Sequence, residues 1–426
     1  LGNEAFVALI VFLLTYAFII SEKIHRTIVA MLGAVLMIVF GIVDQETAIH
    51  HIDFNTLGLL IGMMIIVSIT AETGVFRFIA IWAAKKVRGR PIALLVVFSL
   101  ITAVGSSFLD NVTTVLLIVP VTFSIARELN VSPIPYLMSE IFMSNIGGTA
   151  TMIGDPPNIM IGSAVKSLSF MDFIINLTPV ILLVMVVVLL FLVLLFRKQL
   201  HASEDVRKRI QELNEKEEIT DKKLLIKSLL VLFLTIVGFF LHQSFSLETA
   251  TIALSGAFVL LLITGESYLE FVFNRIEWTT IFFFVGLFVL VSGLVETGLI
   301  AKVASFALKI TGGDITTTSF LILWLSAFAS SIIDNIPFVA TMIPLIKDMG
   351  EMGINNLEPL WWSLSLGACL GGNGLLIGAS ANLIVAGLSG KEGYPISFVQ
   401  FMKIGIPVMI ISVLISMIYI YLRYLI

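Results

Sequence analysis

A chain of 426 residues that is 58% hydrophobic and only 13% charged, with a mean hydropathy of +1.07, excludes a soluble globular protein, which carries about 25% charged residues. The net charge of −4 says little, because membrane proteins are read by where their charges sit. The single cysteine, Cys369, excludes an internal disulfide and a cysteine-rich metal site.

A membrane-crossing helix needs roughly 17–25 mainly apolar residues. Segments 4–21, 26–43, 56–72, 174–197, 224–241, 248–265, 278–296 and 399–425 meet that requirement. The first run lacks a basic leading segment and a small-residue cleavage site, so it reads as a retained helix. Segments 92–127 and 316–348 are apolar arms around polar centres, Ser106 to Asn111 and Ser330 to Asn335. With arms of about 15 residues, each reads as a re-entrant helical hairpin rather than two full spans. Segments 136–167 and 359–389 are apolar but interrupted by Gly, Pro and Asn, and predict broken helices. Segment 198–223 is hydrophilic, and Ser203-Glu204-Asp205 followed by Val206, Ile210 and Leu213 predicts a short surface helix in a linker. The five histidines fall in or beside loops and read as solvated.

An internal repeat is visible at a fixed offset of 224 residues. It pairs Asp110-Asn111 with Asp334-Asn335, Ser106-Ser107 with Ser330-Ser331, and Pro120 with Pro344. It also pairs Gly147-Gly148 with Gly371-Gly372, Gly154 with Gly378, Asn158 with Asn382, and Glu72-Thr73-Gly74 with Glu296-Thr297-Gly298. One register held across so many polar and glycine positions marks a tandem duplication. Each half carries five crossings and one hairpin, and an odd number of crossings makes the repeats inverted. The lysine and arginine excess in alternate loops and in the linker then places the N-terminus outside, the linker inside and the C-terminus outside. After each Glu-Thr-Gly, residues 75–86 and 299–310 suit amphipathic helices in the interface. Glu72 and Glu296 read as carboxylates at helix ends near the headgroups.

Chemistry concentrates at the two hairpin tips and the two breaks. Asp110-Asn111 and Asp334-Asn335 put carboxylates and amides deep in apolar sequence, where a charge costs at least about 2.5–3.5 kcal/mol. Thr113 and Thr114 at the first tip face Pro337 and Phe338 at the second, so the tips are not equivalent. In the run Thr149 to Asn158, Pro156 and Pro157 cannot continue a helix, and Pro156 forces Asp155 out of helical geometry. The second break, around Asn373, Gly378, Ser380 and Asn382, uses glycine and small residues and has no counterpart of Asp155. Unwinding at each break offers carbonyls to a cation, and the following half-helix start offers amides to an anion. Asp155 reads equally as a proton carrier, a cation ligand or an N-cap. Cys369 reads as a buried structural thiol.

These motifs, Ser-Ser-Phe-Leu-Asp-Asn, Gly-Asp-Pro-Pro-Asn, Ser-Ser-Ile-Ile-Asp-Asn-Ile-Pro and Gly-Gly-Asn-Gly-Leu-Leu-Ile-Gly-Ala-Ser-Ala-Asn, resemble the P-protein-like branch of the ion transporter superfamily. The chain is similar more broadly to arsenical pump membrane proteins (ArsB), NhaD-type sodium/proton antiporters and divalent-anion/sodium symporters. The resemblance implies a scaffold part and a moving transport part working as an elevator in a homodimer. The symporters carry Ser-Asn-Thr at the tips where this chain has Asp-Asn, which argues against a dicarboxylate.

The resulting expectation is an all-α membrane protein of two inverted repeats, 1–197 and 224–426, joined by a cytoplasmic linker, 198–223. Segments 1–91 and 224–315 form the scaffold; 92–197 and 316–426 form the transport part. The expected activity is secondary active transport of a small inorganic ion or anion, coupled to sodium or protons. Arsenite or antimonite efflux and sodium/proton exchange stand ahead of dicarboxylate uptake, and a passive anion channel is the alternative. No His-Glu-x-x-His and no nucleophile–base pair suggests an enzyme, and no Walker-type loop supports ATP hydrolysis by this chain, though an ATPase subunit could attach. No cofactor is expected beyond bound sodium, at Asp110, Asn111 and Asn158 and at Asp334, Asn335 and Asn382, with lipid but no nucleic acid as partner. Two hairpins from opposite faces would bring Asp110-Asn111 beside residues 154–158 and Asp334-Asn335 beside residues 378–382, with an anion seat between.

Overall fold

The computed structural model describes residues 2–21 and 23–426. All regular structure among them is helical. The first half runs α1 (Asn3–Ser21), α2 (Arg26–Val39), α3 (Gln45–His50), α4 (Phe54–Glu72), α5 (Val75–Lys86), α6 (Pro91–Phe108), α7 (Asn111–Glu128), α8 (Ile134–Gly148), α9 (Pro156–Ala164) and α10 (Phe170–Phe196). The linker holds α11 (Glu204–Glu212). The second half runs α12 (Lys222–Leu241), α13 (Thr249–Thr264), α14 (Ser267–Phe273), α15 (Trp278–Glu296), α16 (Leu299–Thr311), α17 (Ile315–Ile332), α18 (Asn335–Glu351), α19 (Glu358–Gly371), α20 (Ser380–Lys391) and α21 (Phe398–Ile420).

Among the described residues nine helices are long and apolar enough to cross a membrane: α1, α4, α6, α7, α10, α12, α15, α17 and α21. Their outer faces remain apolar, with Ile226 on α12 68% exposed and Leu194 on α10 61% exposed. In water such a surface would drive aggregation, whereas lipid solvates it. Helix starts are set locally: the carboxylates of Asp44, Asp53, Asp221 and Asp314 accept backbone amides of the first turn. Ser169 and Asp172 form a reciprocal cap at the start of α10. Each such cap contributes about 1 kcal/mol.

Three expectations change. Segment 26–43 is helical only to Val39, because the chain turns at Gly41, which has a φ of +69°. The hairpin arms are 17–18 residues rather than about 15, since helix continues through Ser106-Ser107 and Ser330-Ser331. Those serines satisfy their hydroxyls on backbone carbonyls, Ser106 on Ser144 O at 2.6 Å and Ser330 on Ala368 O at 2.5 Å. The histidines divide: His25, His50 and His201 are exposed as expected, whereas His51 and His242 are half-buried, and His51 Nε2 lies 3.5 Å from Glu296 Oε1.

Packing exchanges partners between the halves. Helix α2 lies along α15, and α4 along α13; α9 meets α18, and α20 meets α7. Every pair maps onto its fellow when 224 is added or subtracted. Charge pairs follow: Arg275 Nη1 lies 2.8 Å from Glu72 Oε1, while His51, at the same offset from Arg275, pairs with Glu296. Glu72 and Glu296 are helix-end carboxylates, 36% and 43% exposed. Within each half the broken helix packs on a hairpin arm, α8 on α6 and α19 on α17. Only glycine permits the approach: a Cβ at Gly147 would fall 2.1 Å from Ala103 O, and one at Gly371 2.5 Å from Ala327 O.

Among the described residues the linker is fastened to the first half. Ile210 of α11 is fully buried, and α11 rests on α5 and α7. Lys85 Nζ donates to Glu215 Oε2 at 2.7 Å and to Leu213 O at 2.8 Å. Arg77 pairs with Glu218 at 3.1 Å, and Thr220 N donates to Thr73 O at 3.1 Å. Helix α16, which matches α5 in the repeat, carries no such strap among the described residues.

Candidate functional site

Both hairpins turn within a residue or two. Arm α6 ends at Phe108 and α7 starts at Asn111; α17 ends at Ile332 and α18 starts at Asn335. The two tips meet at one carboxylate. Asn111 Nδ2 donates to Asp155 Oδ1 at 3.4 Å, and Asn335 Nδ2 donates to the two Asp155 oxygens at 3.3 Å each. Asp155 is 1% exposed. It occupies the N-cap position of α9, yet its side chain makes no cap bond. The capping role is therefore not what its side chain does.

The tip aspartates act differently. Asp110 accepts from its own helix, from Thr113 N at 2.8 Å and from the Thr113 hydroxyl. Asp334 accepts from Ile336 N at 3.2 Å, from Ser380 Oγ at 2.9 Å and from Arg26, with which it forms an ion pair. Arg26 Nη1 also donates to Ser380 Oγ at 2.9 Å. Pro337, at the repeat position of Thr113, has neither amide hydrogen nor hydroxyl, so the Asp334 carboxylate turns outward to the guanidinium.

Each break is closed by an asparagine. Asn158 Nδ2 donates to Thr149 O at 3.1 Å and Thr151 O at 2.9 Å; Asn382 Nδ2 donates to Gly372 O at 2.8 Å and Leu375 O at 3.1 Å. The carbonyls expected to await a cation are thus already partnered, because an unpaired buried carbonyl is costly. Thr149 Oγ1 bonds back to Asn145 O at 2.7 Å. Gly154 and Gly378 sit against backbone: a Cβ would lie 2.5 Å from Gly148 O and 2.8 Å from Gly372 O respectively.

Asn145 ties these parts together and was missed in the sequence. It accepts from Asn111 Nδ2 at 3.1 Å and donates to Asn373 Oδ1 at 2.9 Å and Asn382 Oδ1 at 3.0 Å. Its repeat position is Cys369, whose Sγ lies 3.8 Å from Asn158 Oδ1. The two residues therefore address the two break asparagines in the same way, and Ser365 Oγ adds a bond to Asn158 at 2.6 Å. The Asn373 Nδ2 is buried without a partner. Glu140, also unforeseen, is fully buried and accepts from Thr122 at 2.5 Å.

A cavity of about 60 Å³ remains between these groups, lined among others by Asp110, Asn111, Asp155, Pro156, Asn335 and Ser380, together with Arg26 and Glu277. The structure thus brings both tips and both half-helix starts to one place. Of the two expected sodium sets, Asn158 and Asn382 do not line this cavity; their side chains bond within the breaks. The space expected to seat a cargo anion holds the chain's own carboxylate, Asp155.

A family model described as "Citrate transporter" (CitMHS) matches residues 16–367. An uncharacterised transporter of Mycobacterium tuberculosis is 41% identical over 424 residues, covering 98% of each chain. The P protein of Homo sapiens is 37% identical over 487 aligned positions, covering 95% of this chain and 58% of that protein. Among solved structures, the Alcanivorax borkumensis YdaH transporter superposes with a TM-score of 0.62 at 13% identity, over 99% of this chain and 98% of that one. That likeness concerns the fold of a membrane transporter. The chain is a multi-pass membrane transporter that belongs to the citrate transporter family of the ion transporter superfamily, with the P protein among its relatives.

Proposed function

We propose that the chain is a secondary active transporter of a small inorganic ion, coupled to sodium or protons, with Asp155 as the central ion- or proton-binding group. The observation that carries this reading is the convergence of both hairpin-tip amides, Asn111 and Asn335, on one buried carboxylate. Buried ionisable groups of this kind mark ion pathways and proton relays. The cavity wall supports a cation: Asp110, Asp155 and Glu277 outnumber Arg26. A citrate-like polycarboxylate would meet repulsion there, and about 60 Å³ suits a small ion with a water or two, at roughly 30 Å³ per water. Sodium/proton exchange is therefore the leading form, ahead of arsenite-type efflux.

The transport part is 92–197 with 316–426, and the scaffold is 1–91 with 224–315, which makes the dimer contact. The partner exchange between halves supports inverted repeats, and with them an elevator carrying both tips past the scaffold. The loop charges support an outside N-terminus and an inside linker. Purified protein in liposomes, loaded with a pH-sensitive dye and given sodium or proton gradients, tests the function. Asp155→Asn should lower gradient-driven flux by at least about tenfold, since an amide there sets N–H against N–H at one tip. Wild-type flux in the variant, with folding checked by size-exclusion chromatography, removes Asp155 from the mechanism. Flux that ignores both gradients favours a channel.

A further inference from the structure

The second hairpin tip is fastened to the first two helices, and the first tip is not fastened in the same way. Tyr16 of α1 donates its hydroxyl to Pro337 O at 2.8 Å in a buried bond. Arg26, at the start of α2, pairs with Asp334 and bonds Ser380. The guanidinium lies 4.8 Å from the ring centre of Phe283 on α15, which holds its plane. The Asp334 side chain is 10% exposed and that of Arg26 27%. At the repeat position of Arg26 stands Ala250, which offers no charge.

Arg26 and Ser380 line two cavities at once. One is the central cavity. The other, of about 290 Å³, is walled by the α1–α2 turn with Ile24 and His25, by Asp334, and by Leu383 and Ile384 of α20. The ion pair therefore stands on the boundary between an open vestibule and the site. A cation coming from the vestibule meets Asp334 first, and finds its place taken by an internal cation.

We infer that Arg26 is a positioning residue that acts as a displaceable internal cation: a sodium ion or proton must take its place on Asp334 before the second tip can leave α1 and α2. The inference rests on the transporter reading above. It supplies the coupling step, because a tip neutralised by Arg26 is held to the scaffold and a tip neutralised by the external cation is free to move. The other titratable groups facing this boundary are His25 from the vestibule and Asp110, Asp155 and Glu277 from the central cavity. The two sources of positive charge are separable by titrating sodium at fixed pH and pH at fixed sodium.

The test uses full-length protein in detergent, following the thermal midpoint as sodium or protons are added, for wild type, Arg26→Gln, Arg26→Lys and Pro337→Thr. An occupant that holds Asp334 for nine-tenths of the time weakens apparent cation affinity about tenfold. Arg26→Gln should therefore reach half-saturation at about tenfold lower sodium, or at correspondingly higher pH if the proton is the competitor. Arg26→Lys should stay within about threefold of wild type, because it restores the charge. Pro337→Thr, which gives Asp334 the local hydroxyl that Asp110 has, should fall between them and needs no change at Arg26. Unchanged half-saturation in both Arg26→Gln and Pro337→Thr would overturn the displacement while leaving the transporter reading intact. A wild type indifferent to both sodium and pH would instead overturn the coupling reading, and the displacement with it.

Discussion

The two hairpin tips share the dipeptide Asp-Asn and diverge in what the aspartate holds. Asp110 is turned inward onto Thr113 of its own helix; Asp334 is turned outward onto Arg26 and Ser380. The asparagines, by contrast, do the same thing, each donating to Asp155. A duplication thus kept the amides that address the shared centre and released one carboxylate for a different use. The residue that released it is Pro337, whose missing N–H and hydroxyl leave the carboxylate only the Ile336 amide as a partner in its own helix. The halves differ again at the helices after each Glu-Thr-Gly, since α5 carries the linker and α16, packed on α18, carries no such strap among the described residues.

The largest consequence concerns stability at the tips. Asp334→Asn strands the Arg26 guanidinium, which is mostly shielded from water. Stranding a charge that is fully buried costs roughly 3–5 kcal/mol, and partial exposure brings this nearer about 2 kcal/mol. Asp110→Asn keeps an N-cap of nearly equal quality and should cost well under about 1 kcal/mol. Thermal unfolding in detergent should rank Asp334→Asn clearly below Asp110→Asn, and equal midpoints would erase the difference drawn between the tips.

A smaller effect separates Gly74 from Gly298. Both have left-handed backbone, with φ of +77° and +68°, so alanine costs about 1–2 kcal/mol at either. At Gly74 the new Cβ would also lie 1.8 Å from Glu218 O, whereas nothing stands within 4 Å of Gly298. Gly74→Ala should therefore also lift the strap from α5. Limited proteolysis of the linker should quicken in Gly74→Ala and not in Gly298→Ala.

The smallest effect is a pH dependence of the same strap. The hydrogen bond from Lys85 holds the Glu215 carboxyl below its usual range. A carboxylate with a depressed folded value stabilises the docked form above the unfolded value, near 4.3, and loses that contribution as pH falls through the folded one. Cleavage of the linker around Lys216, carried out at neutral and at acid pH with a protease active at both and normalised to an unfolded peptide, should be faster at acid pH, and Glu215→Gln should be nearly indifferent.

Much of this site was legible in the sequence. A proline pair after Asp155, an aspartate in the middle of an apolar arm, and a constant offset are signals that composition cannot hide. Asn145 escaped because its repeat partner is Cys369, and a search for identical pairs passes over positions that diverged. Arg26 escaped because it opens a helix beside a loop, where a basic residue is ordinary, and only the fold sets it against a tip 308 positions away. The carbonyls at the breaks were read as free because a sequence shows which residues interrupt a helix, not which side chain replaces the lost bonds. Two short helices, α3 and α14, were missed since 6 and 7 residues leave no periodicity to detect.

The strap changes what the linker is mechanically. As a free coil, the roughly 25 residues between α10 and α12 would wander over about 25–30 Å and act as a leash, fixing only how far apart two bodies can drift. Anchored at Ile210, Lys85, Arg77 and Thr73, it becomes a splint. The slack shrinks to residues 197–203 between α10 and α11, at most about 25 Å when drawn straight. One end of that slack is α10, and the other is a rigid assembly of α5, α11 and the start of α12. Whatever travel α10 makes relative to α5 is therefore bounded by a seven-residue tether, a stroke length written into the covalent chain.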